Sequence, residues 1–279
     1  MKERKTETMA ITNFIPTVWS ENLYRALDKE YIAVRHCNRD FEGDIKSMGD
    51  AVKIVGVGAV SVSDYTKNTD MGSPETLSDS VRTLDIDQAK YFNFQIDDID
   101  RAQTTPKLMQ EAMHLAASAL ANTADRHIFG LYANAGSTVT GTANADGIID
   151  TVIDAIRKLY EKNVSKSEEV VIEVSPAVAA AILKAKVNLS AETRDVLEAG
   201  CIGAICGCKI YVSNNIAVES SKHKCLVRTT RAIAFAEQLS EIEAYRPEQR
   251  FADAVKGLHL YGAKVVYPEE MVLLDLTVA

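Results

Sequence analysis

The sequence predicts an α+β fold, and three observations carry that reading. Period-2 apolar alternation marks strands over 51–65 and again over 84–96. Apolar residues stepping by three or four mark one long helix over about 105–134. Short strand and helix patterns then alternate through 146–235, as expected of a compact α/β lobe.

Residues 9–40 come first. Ile15, Val18, Trp19, Leu23, Leu27 and Ile32 recur at roughly helical spacing among charges, which predicts an arm with a short amphipathic helix. Trp19, the single tryptophan, reads either as a core anchor or as a contact with a neighbouring subunit. In "AVKIVGVGAVSVSDY" the apolar residues Val52, Ile54, Val60 and Val62 alternate with polar or small ones. Gly56 and Gly58 between them predict a bend or bulge. The stretch 66–83 is polar and turn-rich, and Leu84, Ile86, Phe92, Phe94 and Ile96 then share one parity, as in a single returning strand. A hairpin with so long a polar tip is marginal alone and is expected to lie on something else.

Thr105 and Pro106 suit a helix start. Met109, Met113, Ala116, Leu120, Ala124, Ile128 and Leu131 give the stripe of a rod on the order of 40 Å, ended by Gly136. Gln110, His114, Asn122, Asp125 and Arg126 lie off that stripe, and His114 and His127 read as surface residues. Residues 135–147 read as a loop. Ile149, Val152, Ile153, Ile156 and Tyr160 mark a second helix. "EVVIEV" is a buried strand, Ser175-Pro176 caps a third helix, and "CKIYVS", "KCLVRTT" and "AIAFAEQ" are further strands. The stretch 240–274 is strand-like throughout.

Composition is that of an ordinary globular chain, 47% hydrophobic and 25% charged. Net charge is 31 − 39 = −8, which argues against general nucleic-acid binding. The five cysteines are an odd number in a large chain, so no secreted disulfide framework is expected. Neither a signal peptide nor a membrane span is evident, and the expectation is a soluble cytosolic protein without a membrane partner.

Candidate chemistry is sparse. Asp97, Asp98 and Asp100, and the pair Asp85 and Asp87, could hold a divalent ion; turn, helix-start and strand roles explain them as well. Cys201, Cys206 and Cys208 lack zinc-site spacing and read as small residues in a glycine-rich turn. No nucleotide loop, HExxH or GxSxG occurs. No catalytic residue, metal or cofactor is expected.

The order of elements resembles the major capsid proteins of tailed bacteriophages, the HK97-like fold. Its marks are "FIPTVWSENLYRAL", "GDAVKIVGVGAVSVSDYTKN", "LDIDQAKYFNFQIDDIDRAQ", the long helix, "VVIEVSPAVAAAILKA", "GAICGCKIYVSNNI" and "IEAYRPEQRFADAVKGLHLYGAKVVYPEEMVLL". The resemblance implies an N-terminal arm at 1–40, an extended β-hairpin loop with its base strands at 41–100, and a spine helix of the peripheral domain at 101–145. An axial α/β domain at 146–235 and peripheral-domain strands at 236–279, returning to the axial domain, complete it. It implies a structural subunit, not an enzyme, that assembles with itself as hexamers and pentamers into an icosahedral head shell. The other implied partners are double-stranded DNA packaged without sequence recognition, a separate scaffolding protein and a portal. Assembly is expected in the host bacterial cytoplasm. Intersubunit contact candidates are Trp19, Lys67, Asn68, Asp70, Glu75, Arg82, Arg246, Glu248 and Arg250. Some members crosslink through a lysine and an asparagine; no motif here identifies Lys67 and Asn68 as a reacting pair. The competing readings are an encapsulin-like compartment shell and a cytosolic α/β enzyme.

Overall fold

The computed structural model describes residues 30–41, 51–57, 79–97, 107–145, 147–164, 168–185, 201–249 and 251–278, with Leu23, Ala26, Leu27, Gly49, Asp64 and Lys67. Strands β1 (Ala51–Val57) and β2 (Asp79–Asp85) pair antiparallel, and β3 (Gln88–Asp97) follows. Helix α1 (Lys107–Gly130) runs into a 3₁₀ turn at Leu131–Asn134. Then come β4 (Ser137–Ala143), α2 (Ile148–Tyr160), β5 (Val170–Val174) and α3 (Pro176–Lys184). The remaining strands are β6 (Cys201–Ile205), β7 (Cys208–Val212), β8 (Val218–Glu219), β9 (Lys222–Thr229), β10 (Ile233–Tyr245), β11 (Ala252–Val265) and β12 (Met271–Val278).

Two larger sheets organise these elements. One is seven-stranded and mixed, in the order β4-β12-β9-β5-β7-β6, with β8 paired to β9. Its middle is dry: β5 is buried along its whole length, and β12 along its first six residues. Val170, Ile172 and Val174 face the side covered by α2 and α3, where Val152, Ile156, Val178 and Ile182 fill the core. Ser175 caps α3 as expected, its hydroxyl accepting from the Val178 N–H with Pro176 in the first turn. The other large sheet has three antiparallel strands, in the order β10-β11-β3. Helix α1, about 36 Å long, packs on one face of it through Leu120, Ala124, Ile128 and Phe129. The β1–β2 pair lies on the opposite face, where Val52, Ile54, Leu84 and Ile86 meet Ala234, Ala236 and Leu260. There the backbone of β2 passes so close that a Cβ on Gly262 would sit 2.2 Å from the Asp85 carbonyl oxygen.

Several expectations change. The returning strand at 84–96 is two strands: β2 belongs to the hairpin, while β3 pairs with β11 in another sheet. Parity continues across the break, so the apolar pattern could not show the change of partner. The expected loop at 135–147 contains β4, in which Thr138, Thr140 and Thr142 alternate with Val139, Gly141 and Ala143 and whose parallel partner is the distant β12. Gly136 does more than end a helix: its N–H donates to the Pro268 carbonyl, and a Cβ there would be 2.5 Å from that oxygen. The buried stripe of α2 is Ile148, Val152, Ala155, Ile156 and Leu159, leaving Ile153 and Tyr160 exposed. Asp125 is buried, although off the apolar stripe, and His127 is half-buried against the Tyr261 ring. The turn at 201–208 is a β6–β7 hairpin closed by Cys206 and Gly207, both at positive φ.

Residues 31–37, assigned to the arm, are embedded in this subunit, with Tyr31, Ala33, Val34, His36 and Cys37 buried. Leu23 and Leu27 are helical and buried as well.

Candidate assembly surfaces

An edge strand leaves one row of backbone N–H and C=O groups unpaired, and soluble proteins usually guard such a row with charges, prolines or bulges. Among the described residues, strand β3 is an edge of the three-stranded sheet. It is ten residues long, paired in unbroken register to β11, and carries one lysine, Lys90, as a guard. None of its side chains from Gln88 to Gln95 is fully buried. Tyr91 is 78% exposed, and its cross-strand partner Leu258 is exposed too. Between this edge and α1 runs an open groove floored by the small side chains of Ala116, Ala119 and Thr123. Leu115, one turn before Ala119, is 63% exposed beside it. A free strand edge, a shallow apolar groove and two large exposed apolar side chains therefore lie together. Small residues in the floor let another backbone approach closely.

The far end of the same sheet is the β10–β11 loop. Phe251 is 81% exposed there, in a turn otherwise made of polar residues and a proline. The sheet beneath is tied by polar contacts. Tyr245 donates to Asn93, and Lys256 pairs with Glu243 at 2.7 Å while lying over the Tyr245 ring. Arg246 and Glu248 are exposed on this loop. Lys67 is exposed at a turn between β1 and β2. Arg82 is half-buried and donates to the Val265 carbonyl at 3.2 Å, so its guanidinium braces the hairpin base on its own subunit. Trp19, Asn68, Asp70, Glu75 and Arg250 lie outside the described residues, as do Asp98 and Asp100.

Sequence reasoning missed Tyr91, Leu115, Phe251 and Leu258. The available signal was an apolar residue off its element's buried face: Tyr91 has the opposite parity to Phe92 and Phe94, and Leu115 stands off the α1 stripe.

The ionisable groups inside the molecule are arranged for structure. Arg228, fully buried on β9, forks both Glu173 oxygens at 2.9 Å and also donates to the Ala33 and His36 carbonyls. Burial alone would raise the Glu173 pKa; the Arg228 guanidinium and His36 outweigh it and hold the carboxyl below its usual range. Burial pushes Asp125 up to about 6, even though it accepts from three backbone N–H groups. Asp275 is held below its ordinary value because Lys224 and Lys222 bond it from both sides, against the opposing effect of burial. Burial raises the thiols of Cys37 and Cys225 to about 11 and about 12, which makes them inert. Among the described residues, no three His, Cys, Asp or Glu side chains converge to hold a metal ion. Asp85 and Asp87 are exposed where the chain changes sheets.

The comparisons agree with this geometry. A family model described as phage capsid protein matches residues 80–274, from β2 to β12. A solved structure from Mycobacterium phage Che8 is 31% identical, covers 88% of this chain and 90% of its own, and superposes with a TM-score of 0.68. The capsid structure of the cyanophage P-SCSP1u is 15% identical, covers 88% and 87%, and has a TM-score of 0.66. The capsid of Ralstonia phage GP4 is 12% identical, covers 88% and 87%, and has a TM-score of 0.67. The last two show the fold alone. No curated protein matches by sequence. The family match and the fold together place this chain in the phage capsid protein family, as a major capsid protein of HK97-like fold: a structural subunit of the virion shell that assembles with copies of itself.

Proposed function

We propose that the chain forms hexamers and pentamers that close into an icosahedral shell around double-stranded DNA, which it encloses without reading. Assembly takes place in the host bacterial cytoplasm with a separate scaffolding protein and a portal. The subunit's part is mechanical and includes no catalysis. The seven-stranded sheet with α2 and α3 serves as the axial domain; α1 and the three-stranded sheet serve as the peripheral domain. The observation that carries this reading is the β3 edge, guarded by Lys90 alone, with Tyr91 and Leu115 exposed beside the groove on α1.

On this reading the tip joining β1 to β2 in one subunit lies over the β3–α1 groove of the next, while the two strands stay packed on their own sheet. The tip residues Lys67, Asn68, Asp70 and Glu75, with Arg82 at the base, set its path. Arg246, Glu248 and Arg250 meet another subunit from the β10–β11 loop, and the arm with Trp19 meets a third. Each contact can be weak. A subunit docked at one edge presents its other edges at high effective concentration, and the contacts close on themselves.

Deleting 67–80 tests the hairpin's role. The deletion should leave the circular dichroism of the subunit unchanged and abolish shells in the electron microscope. Normal shells from the deleted protein would overturn it. Ultraviolet absorbance of shells isolated from infected or expressing cells tests the cargo: a nucleic-acid spectrum is expected, and a pure protein spectrum from virions would refute the DNA assignment.

A further inference from the structure

The chain from Tyr31 to Arg39 lies between the two large sheets and is held from three sides. From α1, Asp125 accepts from the N–H groups of Ile32, Ala33 and Val34 at 3.0, 3.0 and 3.2 Å. From the seven-stranded sheet, Arg228 donates to the carbonyls of His36 at 2.6 Å and Ala33 at 2.9 Å, and Glu173 stands 3.5 Å from the His36 ring nitrogen. From the three-stranded sheet, Glu237 takes Arg39 at 2.7 Å and the Tyr31 hydroxyl, and it also touches His259 at 2.8 Å. Asn38 adds a backbone bridge to β10, donating to Ile233 and accepting from Phe235.

We propose that residues 31–39 form a separately releasable strap that fixes the angle between the two sheets, engaged to different extents in different settings of the subunit. The functional half of this inference rests on the shell reading above.

The covalent crossings between the sheets are few and adjacent. They are 131–136, 230–232 and 266–270. They bond to one another, Gly136 to Pro268 and both Val266 and Tyr267 to Ala232. A cluster of crossings at one place makes an axis. The strap is a further tie across the same junction, made without a covalent continuation into either sheet. Tyr31, Ala33, Val34 and Cys37 share the main apolar core, and to that burial the strap adds charged and polar ties. A buried ion pair adds little net stability compared with an apolar replacement, but it holds one geometry and fails when a single partner is lost. Nine residues held by such ties form a unit able to open while both sheets stay folded. A closed shell contains subunits in non-equivalent positions, and a small element with two states is a low-cost way to fit one chain to them.

The strap carries its own reporter. Cys37 is buried at its end and its thiol donates to Ala33 at 3.3 Å, so it reacts only on opening. Cys225 is buried in β9 and reports on the seven-stranded core. The full chain with Cys206→Ser, which removes the exposed thiol, is labelled with a maleimide in sub-denaturing urea and read site by site by mass spectrometry. Cys37 should label at least about tenfold faster than Cys225, with a weaker urea dependence. Asp125→Asn should raise the Cys37 rate by about tenfold and leave Cys225 unchanged. Equal rates with equal urea dependence at the two sites, in the unsubstituted strap, would overturn the strap as a unit, whatever the variant does. In assembled shells, Cys37 labelling should split into more than one kinetic phase. A single phase at the free-subunit rate would remove the link to shell position while leaving the shell reading intact. Failure of the shell reading shows separately, as an absence of shells.

Discussion

Strands β12 and β3 sit in one chain and do opposite work. The first six residues of β12 are buried, flanked by β4 and β9 and covered by helices. Among the described residues β3 has a partner on one side only, and Tyr91 at its middle is 78% exposed. The difference is where the unpaired groups are left. The seven-stranded sheet closes its polar backbone and apolar side chains on themselves, so its residues determine whether the subunit folds. The three-stranded sheet leaves an edge and a groove open, so its residues determine what the folded subunit binds. A shell protein needs both, and separating them lets contacts vary without loss of the fold.

That division can be broken, or sharpened, by substitution. The largest effect is expected at the buried ion pair. Arg228→Ala strips the buried Glu173 of its guanidinium, leaving only His36 beside it, and should lower unfolding free energy by about 3–5 kcal/mol in urea titration. The pair Arg228→Met with Glu173→Leu should recover most of that loss. Leu274→Ala, in the fully buried part of β12, should cost ~2–5 kcal/mol by the same measurement. If either change were as mild as a surface substitution, the seven-stranded sheet would not be the folding core.

Titration sharpens the comparison further. Asp125 has a folded pKa of about 6, raised from 3.8, so its contribution to stability is fully present below 3.8 and is lost as pH rises through about 6. Glu173 runs the other way: its folded pKa is below 4.5, so its contribution is present above 4.5 and fades as pH falls through the folded value. Asp125→Asn should therefore flatten the decline in stability between pH about 4 and about 6, measured by urea midpoints across that window. An unchanged slope would mean that Asp125 is not buried as described.

The open surface should respond weakly in stability and strongly in assembly. Tyr91→Ser and Leu115→Asp should each change unfolding free energy by no more than about 0.5 kcal/mol, while shell yield falls. The exposed Lys256–Glu243 pair should matter least, with Lys256→Ala costing about 0–1 kcal/mol.

Local rules made part of this visible from sequence. Ser175-Pro176 announces α3 because a cap and a fixed φ act within one turn. The strands of β5, β7 and β9 stand out because β-branched runs are bounded by turn residues. What stayed hidden depends on distant partners. Strand β4 reads as a loop because its threonines and glycine gain strand character only beside β12. The meeting of Asp125, Glu173 and Arg228 around residues 31–36 is hidden because nothing local in the sequence shows it. Most of the contact candidates are charged, whereas Tyr91 and Leu115 beside the open edge are apolar. An off-parity tyrosine carries no label until the sheet's edge is known.

The most direct measurement is electron microscopy of the Tyr91→Ser/Leu115→Asp double variant beside the unmodified protein at equal concentration. Closed shells or rings of five or six subunits are expected from the unmodified protein. Dispersed subunits with unchanged circular dichroism are expected from the variant. Shells of ordinary size from the variant would contradict the placing of assembly on the β3–α1 surface.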